Sequence, residues 1–179
     1  MFARTERLLL RPGWAEDAPA LAAAIDHETV SRNLSWGRWP TGDGVERWLR
    51  GHNAALPSLL ILSRTHSEPE LIGGSGLHKM SDGGVELDFW ISPHRRGLGF
   101  ATEAARAMLG IAQALGVRML AACTFTEQGA AARVLEKLEF LSSGVIVRQP
   151  AVRSSPASVT RYSRSLDPGL LGVAPSLAA

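Results

Sequence analysis

The chain has 179 residues, 45% of them hydrophobic and 20% charged, which suits one well-buried core and is too short for two. Nineteen Lys and Arg against seventeen Asp and Glu leave a formal net charge of +2. With no run of like charges, neither a nucleic-acid nor a membrane partner is expected.

The N-terminal stretch M-F-A-R-T-E-R-L-L-L-R-P places charge on both sides of three leucines, too short for a signal-peptide core or a membrane span, so a cytoplasmic protein is expected. Residues 7–11, closed by Pro12, read as a first strand. Asp17 is placed to cap a helix running to about Ile25, with Pro19 in its first turn, where a missing N–H does no harm. A second short helix starts at Thr41 or Asp43 with Val45, Trp48 and Leu49 on one face. Trp14 and Trp48 are assigned to the core, whereas Trp36 and Trp39 fall in the loop S-W-G-R-W-P.

Residues 59–64, 71–80 and 85–92 are β-type segments joined by the turn-rich H-S-E-P-E and S-D-G-G, and they read as an antiparallel meander. In the third, Glu86 and Asp88 are two apart and share one face, opposite Leu87, Phe89 and Ile91. Residues 93–105, P-H-R-R-G-L-G-F-A-T-E-A-A, then couple a basic glycine turn to a helix start. Arg95 and Arg96 supply cationic donors, and Gly97 and Gly99 remove side chains that would hold backbone N–H groups away from an anion. The helix from about Leu98 points its unpaired amides at the same place. An ordinary strand-to-helix turn has the same local spacing.

That helix carries Ala101, Ala104, Ala105, Met108, Ala112 and Leu115 at helical intervals and ends at Gly116. A strand at 118–126 follows, with the lone Cys123 as a buried strand thiol in a reducing compartment. A helix at 130–138 turns Val134, Leu135 and Leu138 inward, and strands at 143–149 and 158–165 close the chain. Residues 3–166 are expected to form the domain and 167–179 a mobile tail.

A dinucleotide-binding unit would also place G-x-G between a strand and a helix. Here the third glycine position holds Ala or Thr, two arginines lead the turn, and the preceding strands read as hairpins. No acidic residue precedes Glu127 at the spacing of a ribose contact, and no G-K-[ST] marks a phosphate loop.

The element order resembles the GNAT superfamily of acyl-CoA-dependent N-acetyltransferases, in the branch that includes the acetyltransferases of ribosomal-protein N-termini. Five segments carry the resemblance: T-E-R-L-L-L-R-P at 5–12, E-D-A-P-A-L at 16–21, E-L-D-F-W-I at 86–91, R-G-L-G-F-A-T-E-A at 96–104 and R-V-L-E-K-L-E-F at 133–140. It covers residues 3–165 and implies a single α/β (α+β) domain, whose mostly antiparallel mixed sheet of about six or seven strands is flanked by about four helices. It implies acetyl-CoA as co-substrate with no metal, and a primary amine of a peptide or small molecule as the directly attacking acceptor. Monomer and homodimer stay open.

By the same resemblance the pyrophosphate pattern falls on Arg96, Gly99 and Ala101, beside Arg95. Gly97, Leu98 and Phe100 lend amides, Thr102 an amide or hydroxyl, and Gln128 stands where many relatives have Asn. Phe89, Trp90, Ile91 and Ser92 are implied to pair with the pantetheine arm, an extended chain whose amides want strand-like partners. Glu86 is the favoured base, and Asp88 is the second carboxylate, where many relatives have glycine. Trp36, Trp39 and His78 are candidates for the acceptor side. His78 has no second ligand at metal-binding spacing.

Three positions depart from the family. Gln128 replaces a frequent Asn, with Ala131 at the Ser or Ala place three residues later, Leu135 stands where other branches have a tyrosine acid, and Glu139 replaces a glycine. Tyr162, the only tyrosine, is read as structural. A working enzyme and a coenzyme-A-binding sensor without turnover are therefore both carried forward.

Overall fold

The computed structural model describes residues 1–25, 44–51, 56–127, 129–149 and 155–167. Eight strands among them form one sheet, in the order β1-β2-β3-β4-β5-β6-β8-β7. β1 (Ala3–Arg4) and β2 (Leu8–Arg11) make a small antiparallel hairpin, with Thr5 N–H donating to Leu8 O at 3.0 Å. This two-residue β1 takes the count past the six or seven expected, because so short a strand carries no alternation to read.

A 3-10 turn (Ala15–Asp17) and α1 (Ala18–Ile25) follow, then α2 (Gly44–Gly51); the proposed helix starts Thr41 and Asp43 lie outside the described residues. Asp17 does not cap by the expected route. Its buried carboxylate accepts Arg11 Nη1 and Nη2 at 2.7 and 2.8 Å and the Trp14 amide at 2.7 Å. Burial pushes its pKa up, but the Arg11 bonds and the Trp14 amide outweigh burial and hold the carboxyl below its ordinary value. Trp14 is 46% exposed, a correction to its core assignment, because its ring lies 3.8 Å from the Arg11 guanidinium carbon.

β3 (Ser58–Ser63), β4 (Glu70–Lys79) and β5 (Val85–Ile91) form the antiparallel meander. α3 (Phe100–Ala114) then carries the chain over the sheet to β6 (Met119–Phe125), the strand parallel to β5. α4 (Gly129–Lys137) leads into β7 (Leu141–Arg148), and β8 (Ala157–Ser165) inserts between β6 and β7.

Each face of the sheet has its own core. Leu87, Ile91, Leu120, Ala122 and Tyr162 pack against α3 and α4 through Ala104, Ala105, Met108 and Leu135. The alanine stripe lets α3 approach closely, and Leu109 and Ile111 complete its buried side. Leu115, expected inward, is 40% exposed because it is the C-cap, beyond the last full turn. On the other face Trp90, Leu60 and Leu62 meet Leu21 and Ile25 of α1 and Val45 and Leu49 of α2. Truncating a fully buried side chain such as Met108 to alanine costs about 2–5 kcal/mol.

Candidate active site

β5 runs between two structures of different kinds. At its end a 3-10 turn (Pro93–Arg95) leads into Gly97 at φ 76° and Gly99 at φ 83°, both in the left-handed region that favours glycine. α3 starts at Phe100, two residues later than the sequence suggested at Leu98, and its first backbone bond is Glu103 N–H to Gly99 O at 3.1 Å. The amides of Phe100, Ala101 and Thr102 precede that bond, so they and the positive end of a 15-residue helix face outward together. A Cβ built on Gly97 would meet nothing within 4 Å, so the space before the turn is open.

The two arginines part ways. Arg96 donates from Nε to Ile91 O at 3.0 Å, which ties the root of its guanidinium to the end of β5, and partial burial draws its pKa down from the ordinary value. Arg95 instead forms an ion pair with Glu70 at the start of β4, and His94 Nε2 lies 3.2 Å from the same carboxylate. The Arg95 hydrogen bond is the main cause that holds the Glu70 carboxyl below its usual range. Arg95 therefore braces the turn from behind.

β5 and β6 are paired through Val85↔Leu120, Glu86↔Ala121 and Leu87↔Ala122. Both strands continue past that point, to Ile91 and Phe125, without further register between them. The resulting gap opens toward the glycine turn. Of the strand residues named as candidates, Phe89 is half-buried on the α3 side while Trp90 and Ile91 are buried on opposite faces. Ser92 N–H donates to Ile72 O at 2.8 Å, and its buried hydroxyl has no hydrogen-bond partner. An anion with several oxygens fits the turn, and an extended amide-bearing chain fits the gap, so these residues suit coenzyme A.

At the start of β5 lies a cluster of side-chain pairs. Glu86 and Asp88 share the face of Trp90, as alternation required, but Glu86 is only 1% exposed rather than solvated. Arg148 of β7 reaches over to it, with Nη1 3.1 Å from Oε1 and 3.5 Å from Oε2. A buried carboxylate without such a cation would be costly, and the pair compensates it. Cys123 of β6 adjoins it; burial first, and then the Glu86 charge, push its thiol up to about 12.

His78 stands opposite Glu86 in the β4–β5 register, and its Nε2 lies 2.7 Å from Asp88 Oδ2. Despite that distance, buried His78 Nε2 does not meet the geometry of a hydrogen bond. Gly76 makes room for it: a Cβ there would fall 2.6 Å from His78 Nε2, 2.9 Å from Ser58 Oγ and 3.2 Å from Asp88 Oδ1. Ser75 Oγ donates to Asp88 O at 2.7 Å and steadies the strand beneath.

Trp36, Trp39 and Gln128 lie outside the described residues. Sequence reasoning missed Arg148 and the place of Cys123 beside Glu86; the only available signal was that both are on alternating strands. Leu135, at the place of a tyrosine acid, is fully buried in the core, and Tyr162 packs in the same core as expected. Among the described residues no group of three or more His, Cys, Asp or Glu side chains is arranged to hold a metal ion, and no helix is long and apolar enough to cross a membrane. A cavity of about 630 Å³ beside α1 and α2 is lined by Ala15, Ala18, Ala22, Val45 and Glu46, none of them a site candidate.

A family model described as the acetyltransferase (GNAT) domain matches residues 7–141. An uncharacterized N-acetyltransferase of Bacillus subtilis (strain 168), YoaA, is 25% identical over 175 residues, 89% of this chain and 93% of that protein. The fold is similar to that of a GNAT-family acetyltransferase from Bacillus anthracis, with a TM-score of 0.79 and 19% identity, over 93% of this chain and 99% of the other. It is also similar to RimL, a ribosomal L7/L12 alpha-N-protein acetyltransferase solved with coenzyme A, with a TM-score of 0.76 and 15% identity, over 92% and 98%. Structures with acetyl-CoA are among the similar folds too.

Proposed function

The chain belongs to the GNAT acetyltransferase family; from that premise we propose that it moves an acetyl group from acetyl-CoA to a primary amine by direct attack, in the cytoplasm. The observation that carries the reading is the parting of β5 from β6 after Leu87, in front of the glycine turn. From Leu87 to Ile91 the unpaired edge runs about 14 Å, room for an extended amide-bearing chain to lie along it.

Acetyl-CoA, when bound, supplies an acetyl group activated as a thioester. The amides of Phe100 to Thr102, with Arg96, hold the pyrophosphate. The β5 backbone beyond Leu87 pairs with the pantetheine arm like an added strand and directs an amide at the thioester oxygen. Glu86 takes a proton from the acceptor ammonium, directly or through water, which frees the nitrogen lone pair. The N–C bond then forms as the C–S bond breaks; the acylated nitrogen gives its remaining excess proton to water, and water in turn protonates the departing thiolate, since Leu135 supplies no acid.

The second reading, a coenzyme A sensor without turnover, is favoured by that same Leu135 and by the closed Glu86–Arg148 pair. Thiol release with acetyl-CoA, measured across peptide N-termini, amino acids, polyamines and aromatic amines, separates the two. Steady turnover with any acceptor removes the sensor. Coenzyme binding with no turnover removes the enzyme, and absence of any thermal stabilisation by acetyl-CoA removes both.

A further inference from the structure

The T-E-R-L segment ahead of β2 has no part in the chemistry above, yet it converges on the donor turn from about a hundred residues away in sequence. Arg7 Nη1 donates to Leu98 O at 3.0 Å, and Nε donates to Glu103 Oε2 at 2.8 Å, with Nη2 2.7 Å from the same oxygen. Arg7 N–H donates to Glu103 Oε1 at 3.0 Å, and Thr5 Oγ1 donates to that oxygen at 2.5 Å. The guanidinium carbon lies 4.6 Å from the centroid of the Phe100 ring, and a Cβ on Gly99 would sit 3.4 Å from Nη2. One side chain thus touches Leu98, Phe100 and Glu103 and borders Gly99.

Two consequences follow from elementary physics. A turn with two left-handed glycines is intrinsically loose, and a planar fork bound at three points along it restricts it. Glu103 also places a carboxylate in the first turn of α3, where it suits the helix dipole but would repel a bound pyrophosphate. Burial pushes that carboxyl up, yet Thr5 and Arg7 together bring it below its ordinary value, so it remains ionised. Its charge must be cancelled locally for an anion to bind beside it.

We infer that Arg7 is a positioning residue for the coenzyme A pyrophosphate, holding the 97–100 turn in shape and neutralising Glu103; the inference rests on the acetyl-CoA reading of that turn. The test titrates coenzyme A and pantetheine, which lacks the pyrophosphate, into the unmodified protein, Arg7→Met, Arg7→Lys and Arg7→Met/Glu103→Gln. In parallel, kcat and the KM for acetyl-CoA are measured with an active acceptor.

Arg7→Met is expected to weaken coenzyme A binding and raise KM about tenfold or more, with pantetheine binding and kcat nearly unchanged. Adding Glu103→Gln is expected to recover only the part of that loss due to the uncompensated carboxylate, leaving a deficit of about threefold to tenfold, like that of Arg7→Lys, because the fork is still missing. Arg7→Lys keeps the charge but not the fork, and is expected to lose about threefold to tenfold. It also serves if Arg7→Met does not fold.

Coenzyme A binding unchanged in Arg7→Met, or in Arg7→Lys if only that variant folds, overturns the inference and leaves the acetyl-CoA reading intact. Equal losses for coenzyme A and pantetheine, with no rescue by Glu103→Gln, also overturn it, since they mark a purely structural residue. Failure of the unmodified protein to bind coenzyme A overturns the acetyl-CoA reading, and the inference with it.

Discussion

The two ends of β5 are built on different principles. Past Ile91 the glycine turn, the proposed donor site, is made of backbone: left-handed glycines, three outward amides and a helix start, all within one short run of sequence. Around Glu86 the cluster is made of side-chain pairs drawn from β4, β5, β6 and β7, with His78 against Asp88 and Arg148 against Glu86. Backbone geometry tolerates changes in neighbouring side chains but not the loss of a glycine. A side-chain cluster has the opposite vulnerability.

The largest expected effect probes the closed nature of the paired end. With its thiol pushed up to about 12, Cys123 is a thiolate to about one part in 10⁴ at pH 8, so iodoacetamide should label it about 10³-fold more slowly than an open thiol. Labelling at an ordinary thiol rate in the folded protein would mean that the Glu86 neighbourhood is open. Next, Gly99→Glu puts a side chain where φ is 83° and a negative charge at the proposed anion site, and should weaken coenzyme A binding more than about 10²-fold. Retained binding there, measured by titration, would show that the turn does not hold the donor.

The contrast sharpens with Glu86→Gln, which keeps the shape of the pair with Arg148. It should lower kcat/KM about 10²-fold while coenzyme A binding stays unchanged, dividing the two ends by function. An equal loss in binding would merge them. Smallest is a control outside both. Glu139, at φ 58°, closes α4, with Phe140 N–H on Leu135 O and its own N–H on Glu136 O. This is the position of a helix-terminating glycine.

Relief of that backbone strain in Glu139→Gly should stabilise the protein by about 1 kcal/mol, raising Tm by about 2–4 °C. Its exposed pair with Arg164 offsets little of this gain. Coenzyme A affinity and kcat should not move; if they do, the end of α4 is coupled to one of the two sites.

The difference between the ends also explains what sequence reading reached. The shape of the glycine turn was readable because its requirements are local: glycine where φ is positive, basic residues before it, apolar helical spacing after it. The E-x-D pair on one face of β5 was readable for the same reason, as alternation is a property of the strand itself. Arg148 beside Glu86 was not, because β8 inserts between β6 and β7, and no local pattern announces that order. Trp14 was misassigned because its hydrophobicity suggested the core, while a stack on Arg11 decided its exposure.

By itself, then, the sequence determined the order and type of the elements, the face on which Glu86 and Asp88 sit and the glycine turn ahead of α3, all set by backbone preferences over a few residues. Only the tertiary structure decided that β5 and β6 part after Leu87, that Arg95 turns back to Glu70 and that Arg148 compensates Glu86. It also brought Arg7 to Glu103. Those outcomes depend on which strands become neighbours and on charges that must find partners once water is excluded, and both are settled by the packing of the whole sheet.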